Sequence, residues 1–219
     1  MTKNIKKYLI LGFLFFFPIF VYVFLSTGLN NFAKLPVLTY GVNDIINLEG
    51  NLSKVSLKDN ISVVGFWGGD IENKKSEALN LNQKIYKRFY EFQDFQFVFL
   101  YNIEESKAIE DLKLELISGV GTDLKKWNFI PTSQSNIKDV FNSFKTNIEL
   151  DENFSTPYVF IVDRDLSLRG RDDDEDTGML YGFNSQSVAE INNKMVDDVK
   201  IILAEYRLAL KKNDSLFNE

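Results

Sequence analysis

The sequence predicts an α/β domain, a central mixed sheet flanked by helices, behind an N-terminal transmembrane helix. Three observations carry this. An uncharged apolar run, YLILGFLFFFPIFVYVFL, occupies residues 8–25. Two nearly continuous apolar segments, 61–67 and 95–101, each precede a stretch of helical periodicity, the pattern of strands buried on both faces. A strand opening at Pro157 leads through a turn into a second strand and then a long amphipathic segment.

The apolar run comes first. At 1.5 Å per residue its 18 residues span about 27 Å, close to the ~30 Å hydrocarbon layer, and Ser26 to Leu29 extend it. Pro18 is tolerable in a membrane helix, and Tyr22 suits an interface. Lys3, Lys6 and Lys7 precede the run and only Lys34 follows closely. The positive-inside rule then places the N-terminus in the cytoplasm and the body across the membrane. Ser26-Thr27-Gly28 offers small residues for signal cleavage, but the run exceeds the usual ~7–15-residue signal core, which favours an uncleaved anchor. The expected localisation is the inner membrane, single-pass, with a periplasmic C-terminal domain.

Residues 30–50 read as a linker, extended at Leu35-Pro36-Val37-Leu38 because proline turns its neighbour away from helix. Val55 to Leu57 are expected as a short edge strand. Ile61 to Trp67 form a buried strand, broken by Gly68-Gly69-Asp70. A helix from Lys74 to Phe92 follows, with Leu81, Ile85, Phe89 and Phe92 as its stripe. Phe95 to Tyr101 are the second buried strand, Glu104 to Ile117 a helix, Trp127 to Ile130 a third strand, and Ile137 to Phe144 a helix. Thr156 to Val162 form a strand with its proline at the start, where no ladder bond is lost. The turn Asp163-Arg164-Asp165 leads into Leu166 to Gly170. Ser187 and Glu190 open the last helix with a capping-box pattern. Its stripe, Val188, Ile191, Met195, Val199, Ile202, Tyr206 and Leu210, continues toward Lys211. The expected organisation is an N-terminus and anchor over 1–29, a linker over 30–50, the domain over 51–212 and a frayed tail over 213–219.

Composition excludes much chemistry. The 219 residues contain no Cys and no His. Thiol nucleophiles, thiolate ligands, disulfides and the commonest general base are therefore absent. With Lys3, Lys6 and Lys7 set aside, 22 basic residues face 31 acidic ones. So acidic a body argues against nucleic acid, which needs a basic face.

Several motifs together resemble a known family. Val63-Val64-Gly65-Phe66-Trp67 before a helix looks like the strand that leads to the thioredoxin active site. Ser155-Thr156-Pro157 before a strand looks like the thioredoxin cis-proline loop. Phe160 to Asp165, then Leu168-Arg169-Gly170 and a long closing helix, is similar to the end of the Sco family. Those are membrane-anchored, thioredoxin-like proteins that carry copper or reduce thiols during cytochrome c oxidase assembly. The resemblance implies a thioredoxin-like fold. It also puts the family's two cysteines near Ile71 and Lys75 and its histidine near Ser155. None of the three is present, and carboxylates or hydroxyls do not replace the soft ligands that copper selects.

The expected function is therefore a membrane-anchored, redox-inactive, non-catalytic interaction or assembly module, with no cofactor, metal or catalytic residue. The resemblance implies a setting in respiratory oxidase biogenesis. The expected partner, beside the membrane itself, is a membrane or exported protein. The interaction loop comprises Trp67, Gly68, Gly69, Asp70, Ile71, Ser155, Thr156 and Pro157, with Trp67 as an anchor, Pro157 cis, and an extended peptide pairing across the two segments. For Trp67-Gly68-Gly69-Asp70 taken alone the favoured reading is structural, a turn with Trp67 as core or a half-buried strand end. Two further alternatives are a carboxylate-based enzyme and a Ca²⁺-binding surface protein using Asp172-Asp173-Asp174-Glu175-Asp176. A solvated loop is the simpler account of that run, since consecutive carboxylates point apart.

Overall fold

The computed structural model describes residues 3–26, 34–121 and 123–217, with side chains omitted at a few positions and after residue 208. The chain divides into two units, residues 1–33 and 34–219. The first contains one helix, α1 (Lys3–Ser26), with Pro18 inside it. Its segment Ile5–Phe24 is 20 residues long, none of it buried, and long and apolar enough to cross a membrane. The expected cleavage-like Thr27 and Gly28, the anchor's end at Leu29 and the first linker residues lie outside the described residues.

The second unit is built on one sheet. Its strands are β1 (Val37–Tyr40), β2 (Ile61–Gly68), β3 (Phe95–Asn102), β4 (Trp127–Thr132), β5 (Tyr158–Val162) and β6 (Ser167–Arg169). They lie in the order β1-β6-β5-β2-β3-β4. The β2–β3 and β3–β4 pairs are parallel, whereas β2–β5, β5–β6 and β1–β6 are antiparallel, so the sheet is mixed. Strand alternation sends Val63, Trp67, Phe97, Phe99, Val159 and Ile161 to one face. Helices α2 (residues 72–89), α3 (Ser106–Val120) and α5 (residues 188–217) cover that face. Val64, Phe66, Val98, Leu100, Phe160 and Val162 go to the other, under α4 (Gln134–Ser143) and the buried Val42, Ile45 and Leu57. Burial on both faces is why β2 and β3 read as continuous apolar runs rather than alternating ones.

Several elements differ from the sequence reading, each for a tertiary reason. Residues 35–50 are not a linker. Val37, Thr39 and Tyr40 pair with β6, and Leu35, Val42 and Ile45 are buried. Arg169 secures this edge: its Nε donates to the Leu35 carbonyl at 2.8 Å, and Nη2 donates to the same oxygen. No strand forms at Val55–Leu57. Asp44 and Asn51 accept the Leu57 and Val55 N–H groups at 2.8 and 2.9 Å, which fixes a loop instead. The helix expected to reach Phe92 ends at Phe89, so Phe92 leaves the buried stripe and is exposed.

A further hairpin is present: β7 (Arg171–Asp174) pairs with β8 (Gly178–Leu180). A short β9 (Phe183–Asn184) then adds to β5. The acidic run is therefore not a purely solvated loop. Asp174 is buried, with Lys194 Nζ donating to Oδ1 at 2.8 Å. Burial alone would raise the Asp174 pKa, but the Lys194 ammonium and the Asp176 and Thr177 N–H groups outweigh it and hold the carboxyl below its usual range. Arg171 also clamps the hairpin to α5 through Asp198, with Nε and Nη2 both 2.8 Å from the carboxylate. Finally, α5 runs to Phe217, so most of the expected frayed tail is helical, and residues 218–219 lie outside the described residues.

Candidate functional site

The two segments of the expected interaction loop do meet. β2 ends at Gly68, whose φ of +53° is the left-handed region open to glycine. A Cβ there would stand 2.0 Å from the Asn153 carbonyl oxygen. Gly69 N–H donates to that oxygen at 2.9 Å, and Thr156 N–H donates to the Phe66 carbonyl at 2.9 Å. The loop around residues 153–156 is thus zipped onto the end of β2. An Asx turn shapes it: Asp151 Oδ1 accepts the Asn153 and Ser155 N–H groups, each at 2.9 Å.

The meeting is closed rather than open. Trp67 is fully buried, with its ring 4.1 Å from that of Phe99, so it is a core residue and not an exposed anchor. Ile71, Ser155 and Thr156 are buried as well, leaving only Gly69, Asp70 and Pro157 partly accessible. No peptide bond is cis among the described residues, so Pro157 is trans, against expectation. Backbone hydrogen bonds hold the segment on both sides. Thr156 N–H is held by Phe66, and the Pro157 carbonyl accepts Ser185 N–H at 2.9 Å and Ser185 Oγ at 2.5 Å. The Thr156 N–H is therefore engaged within the chain.

A polar cluster that sequence reasoning missed sits beside this junction. Lys74 and Glu77, in the first turns of α2, are both buried, with Nζ and Oε1 3.2 Å apart. Lys74 Nζ also lies 3.5 Å from the Thr156 carbonyl. Glu77 accepts from Gln186 Nε2 at 2.9 Å, and Ser185 Oγ, whose one proton is shared with the nearer Pro157 carbonyl, lies 3.0 Å from its other oxygen. A charge pair this deep needs further hydrogen bonds around it, and here Gln186 and the Thr156 carbonyl contribute them. A signal existed. Stepping back from Leu81 by four and then three residues lands on Glu77 and Lys74, so both lie on the core stripe.

The positions matched to the family's cysteines diverge. Ile71 is buried, while Lys75 points out and pairs with Glu115 at 3.0 Å. At the position matched to the histidine, Ser155 Oγ is buried and bonds to no described group. Among the described residues, no three carboxylates gather where a metal ion could be held. The acidic run in particular disperses its side chains between Lys194 and solvent.

This architecture is a thioredoxin-like fold. A SCO1/SenC family lipoprotein from Bacillus anthracis str. Ames superposes with a TM-score of 0.52 at 14% identity, over 78% of this chain and 99% of that one. BsSco, a member of the Sco family of cytochrome c oxidase assembly proteins, gives 0.49 at 14% identity, over 78% and 98%. A putative protein disulfide isomerase from Bacteroides thetaiotaomicron gives 0.48 at 13%, over 78% and 95%. At such identities the likeness is one of fold. No protein-family model and no curated protein sequence matches this chain.

Proposed function

We propose that the chain is a membrane-anchored, redox-inactive thioredoxin-like module that holds a protein partner rather than catalysing a reaction. The observation that carries this is the occupied junction. At the positions matched to the relatives' reactive groups this chain has Ile71, Lys75 and Ser155, and beside them a buried Lys74–Glu77 pair bonded to Ser185 and Gln186, in a sequence without Cys or His. The apolar N-terminal helix supports a single-pass anchor, and the lysines before it support a body on the periplasmic side of the inner membrane. The sequence resemblance supports oxidase biogenesis as the setting in which to look for the partner.

The test is co-purification of the full-length protein, tagged at its C-terminus, from gently solubilised membranes, with partners identified by mass spectrometry. Recovery of oxidase subunits or their assembly factors is the expected result, and recovery of the intact bait alone counts against a stable-partner role. Orientation has its own assay. The absence of cysteine gives a clean background for Leu52→Cys, a position 90% exposed. An impermeant maleimide applied from the periplasmic side should label it in intact cells. Protection until the membrane is broken would reverse the topology.

A further inference from the structure

Strand β4 stands at one edge of the main sheet. Its backbone phase is fixed by Phe97, whose N–H donates to the Lys126 carbonyl at 2.8 Å. A parallel ladder in that phase turns the N–H and C=O groups of Asn128 and Ile130 toward β3, and those of Trp127, Phe129 and Pro131 outward. The outward groups are not alike. The Trp127 N–H is taken by the Leu124 carbonyl at 2.9 Å. Pro131 has no N–H, and Gly50 packs so closely on its carbonyl oxygen that no room is left for a Cβ. Among the described residues, nothing bonds to the Trp127 carbonyl or to the Phe129 N–H and carbonyl. The edge is therefore open at 127–129 and closed beyond.

A cleft of about 350 Å³ follows this stretch, walled by residues 127–131 of β4, the loop from Gly50 to Ser53, and Lys113 of α3. Successive strand residues point to opposite faces, so a cleft that touches all five runs along the edge itself. Phe129 is half-buried, and Leu52 on the opposite wall is 90% exposed. Lys113, with Nζ 5.3 Å from the centre of the Phe129 ring, is already paired with Glu110 at 2.6 Å. What the cleft offers is thus backbone hydrogen bonds and apolar contact rather than an unspent charge.

We propose that β4 receives an extended segment of a partner protein as an added strand. The Phe129 N–H donates to one carbonyl of the incoming strand. The Phe129 and Trp127 carbonyls accept from two of its N–H groups, two residues apart. An aromatic or β-branched side chain of that strand packs beside Phe129. In such strand addition the main chain supplies affinity and alternate side chains supply selectivity. The count of donors decides against a second copy. Each copy has one free donor and two free acceptors here, so two copies joined edge to edge make at most two bonds and leave two carbonyls unmet. A segment of another chain, free of proline where it pairs, meets all three groups. This docking edge presupposes the interaction-module reading and adds its surface and the conformation of its partner.

The full-length chain in zwitterionic nanodiscs can be titrated into a labelled peptide of about nine residues, alternating Thr and Val about a central Phe and longer than the usual strand. Saturable binding is expected. N-methylation at single peptide positions removes one N–H at a time, and a loss of about tenfold or more should fall on two positions two residues apart, with the residue between them tolerant. Absence of saturable binding overturns the proposal, as does a loss spread evenly along the peptide. In the protein, Phe129→Pro deletes the free edge donor and breaks no bond to β3, so the variant should keep its folded tryptophan emission and bind about tenfold or more weakly than Phe129→Ala. Equal binding by these two folded variants overturns the proposal, and should Phe129→Pro unfold, the N-methyl series on the wild type decides. A wild-type dimer in detergent that Phe129→Ala converts to monomer would overturn it in favour of a second copy. Should wild type and Phe129→Pro recover the same partner from membranes, this edge falls while the module reading stands.

Discussion

Replacing Glu77 by Gln tests the closed junction most directly. The substitution keeps the shape of the side chain and removes its charge. The Lys74 ammonium, with its side chain only 5% exposed, would then face only neutral oxygens, the new Gln amide and the Thr156 carbonyl at 3.5 Å. At the present 3.2 Å separation the gross attraction is about 5 kcal/mol for an effective dielectric constant near 20. A Gln amide oxygen restores part of it, so the net loss is about 3–5 kcal/mol, the range for breaking one side of a buried pair. For a domain of this size that corresponds to a fall in Tm of roughly 6–20 °C. Trp67 and Trp127, both buried, are built-in fluorescence reporters of unfolding. Lys74→Met combined with Glu77→Gln removes the stranded charge and should cost at least about 2 kcal/mol less than the sum of the two single changes. The reasoning fails if Glu77→Gln lies within about 0.5 kcal/mol of wild type, or if the two changes add.

Other expectations follow from the same geometry. Gly68→Ala forces a side chain into left-handed backbone and against the Asn153 carbonyl, and should cost about 2–4 kcal/mol in urea denaturation; Gly69→Ala, whose Cβ meets that oxygen only at 4.0 Å, should be milder. The folded Asp174 carboxyl titrates below its ordinary value of 3.8, so the chain takes up a proton there on unfolding; its stabilisation is present above that value and is lost as pH falls through the folded pKa. Asp174→Asn should therefore flatten the acid limb of a stability-versus-pH curve below about pH 4, and an unchanged limb would remove Asp174 from that account. Calorimetric titration with Ca²⁺ should give no saturable heat, and binding tighter than about 0.1 mM would revive the surface-site alternative.

Local pattern was enough for much of this protein. The uncharged run before residue 26, the apolar segments 61–67 and 95–101, and the stripe through Ile191, Met195, Val199 and Ile202 each report their own surroundings, because a residue's neighbours at spacing two, three or four share its face. The Ser187 cap was legible for the same reason, although only half the box formed. Ser187 Oγ accepts the Glu190 N–H at 3.2 Å, while the Glu190 carboxylate turns to the Asn184 N–H at 2.8 Å. Both long helical runs also contain a wide turn, at Asn82–Tyr86 and Ile191–Met195, which apolar spacing did not announce.

By itself, then, the sequence determined the buried central strands and their covering helices, the apolar N-terminal helix and the absence of thiol and imidazole chemistry, because these depend on residue type and short spacing; the edge strand β1 and the short strands β7, β8 and β9 it did not. Only the tertiary structure decided which loop residues are accessible and what fills the junction. Ser185 reaches Glu77 across 108 positions and Arg169 reaches the Leu35 carbonyl across 134. Contacts so distant in sequence leave no local periodicity. They arise only when packing of the sheet brings the α2 start, the 153–157 loop and the entry to α5 to one place, where burial requires every charge to find a partner.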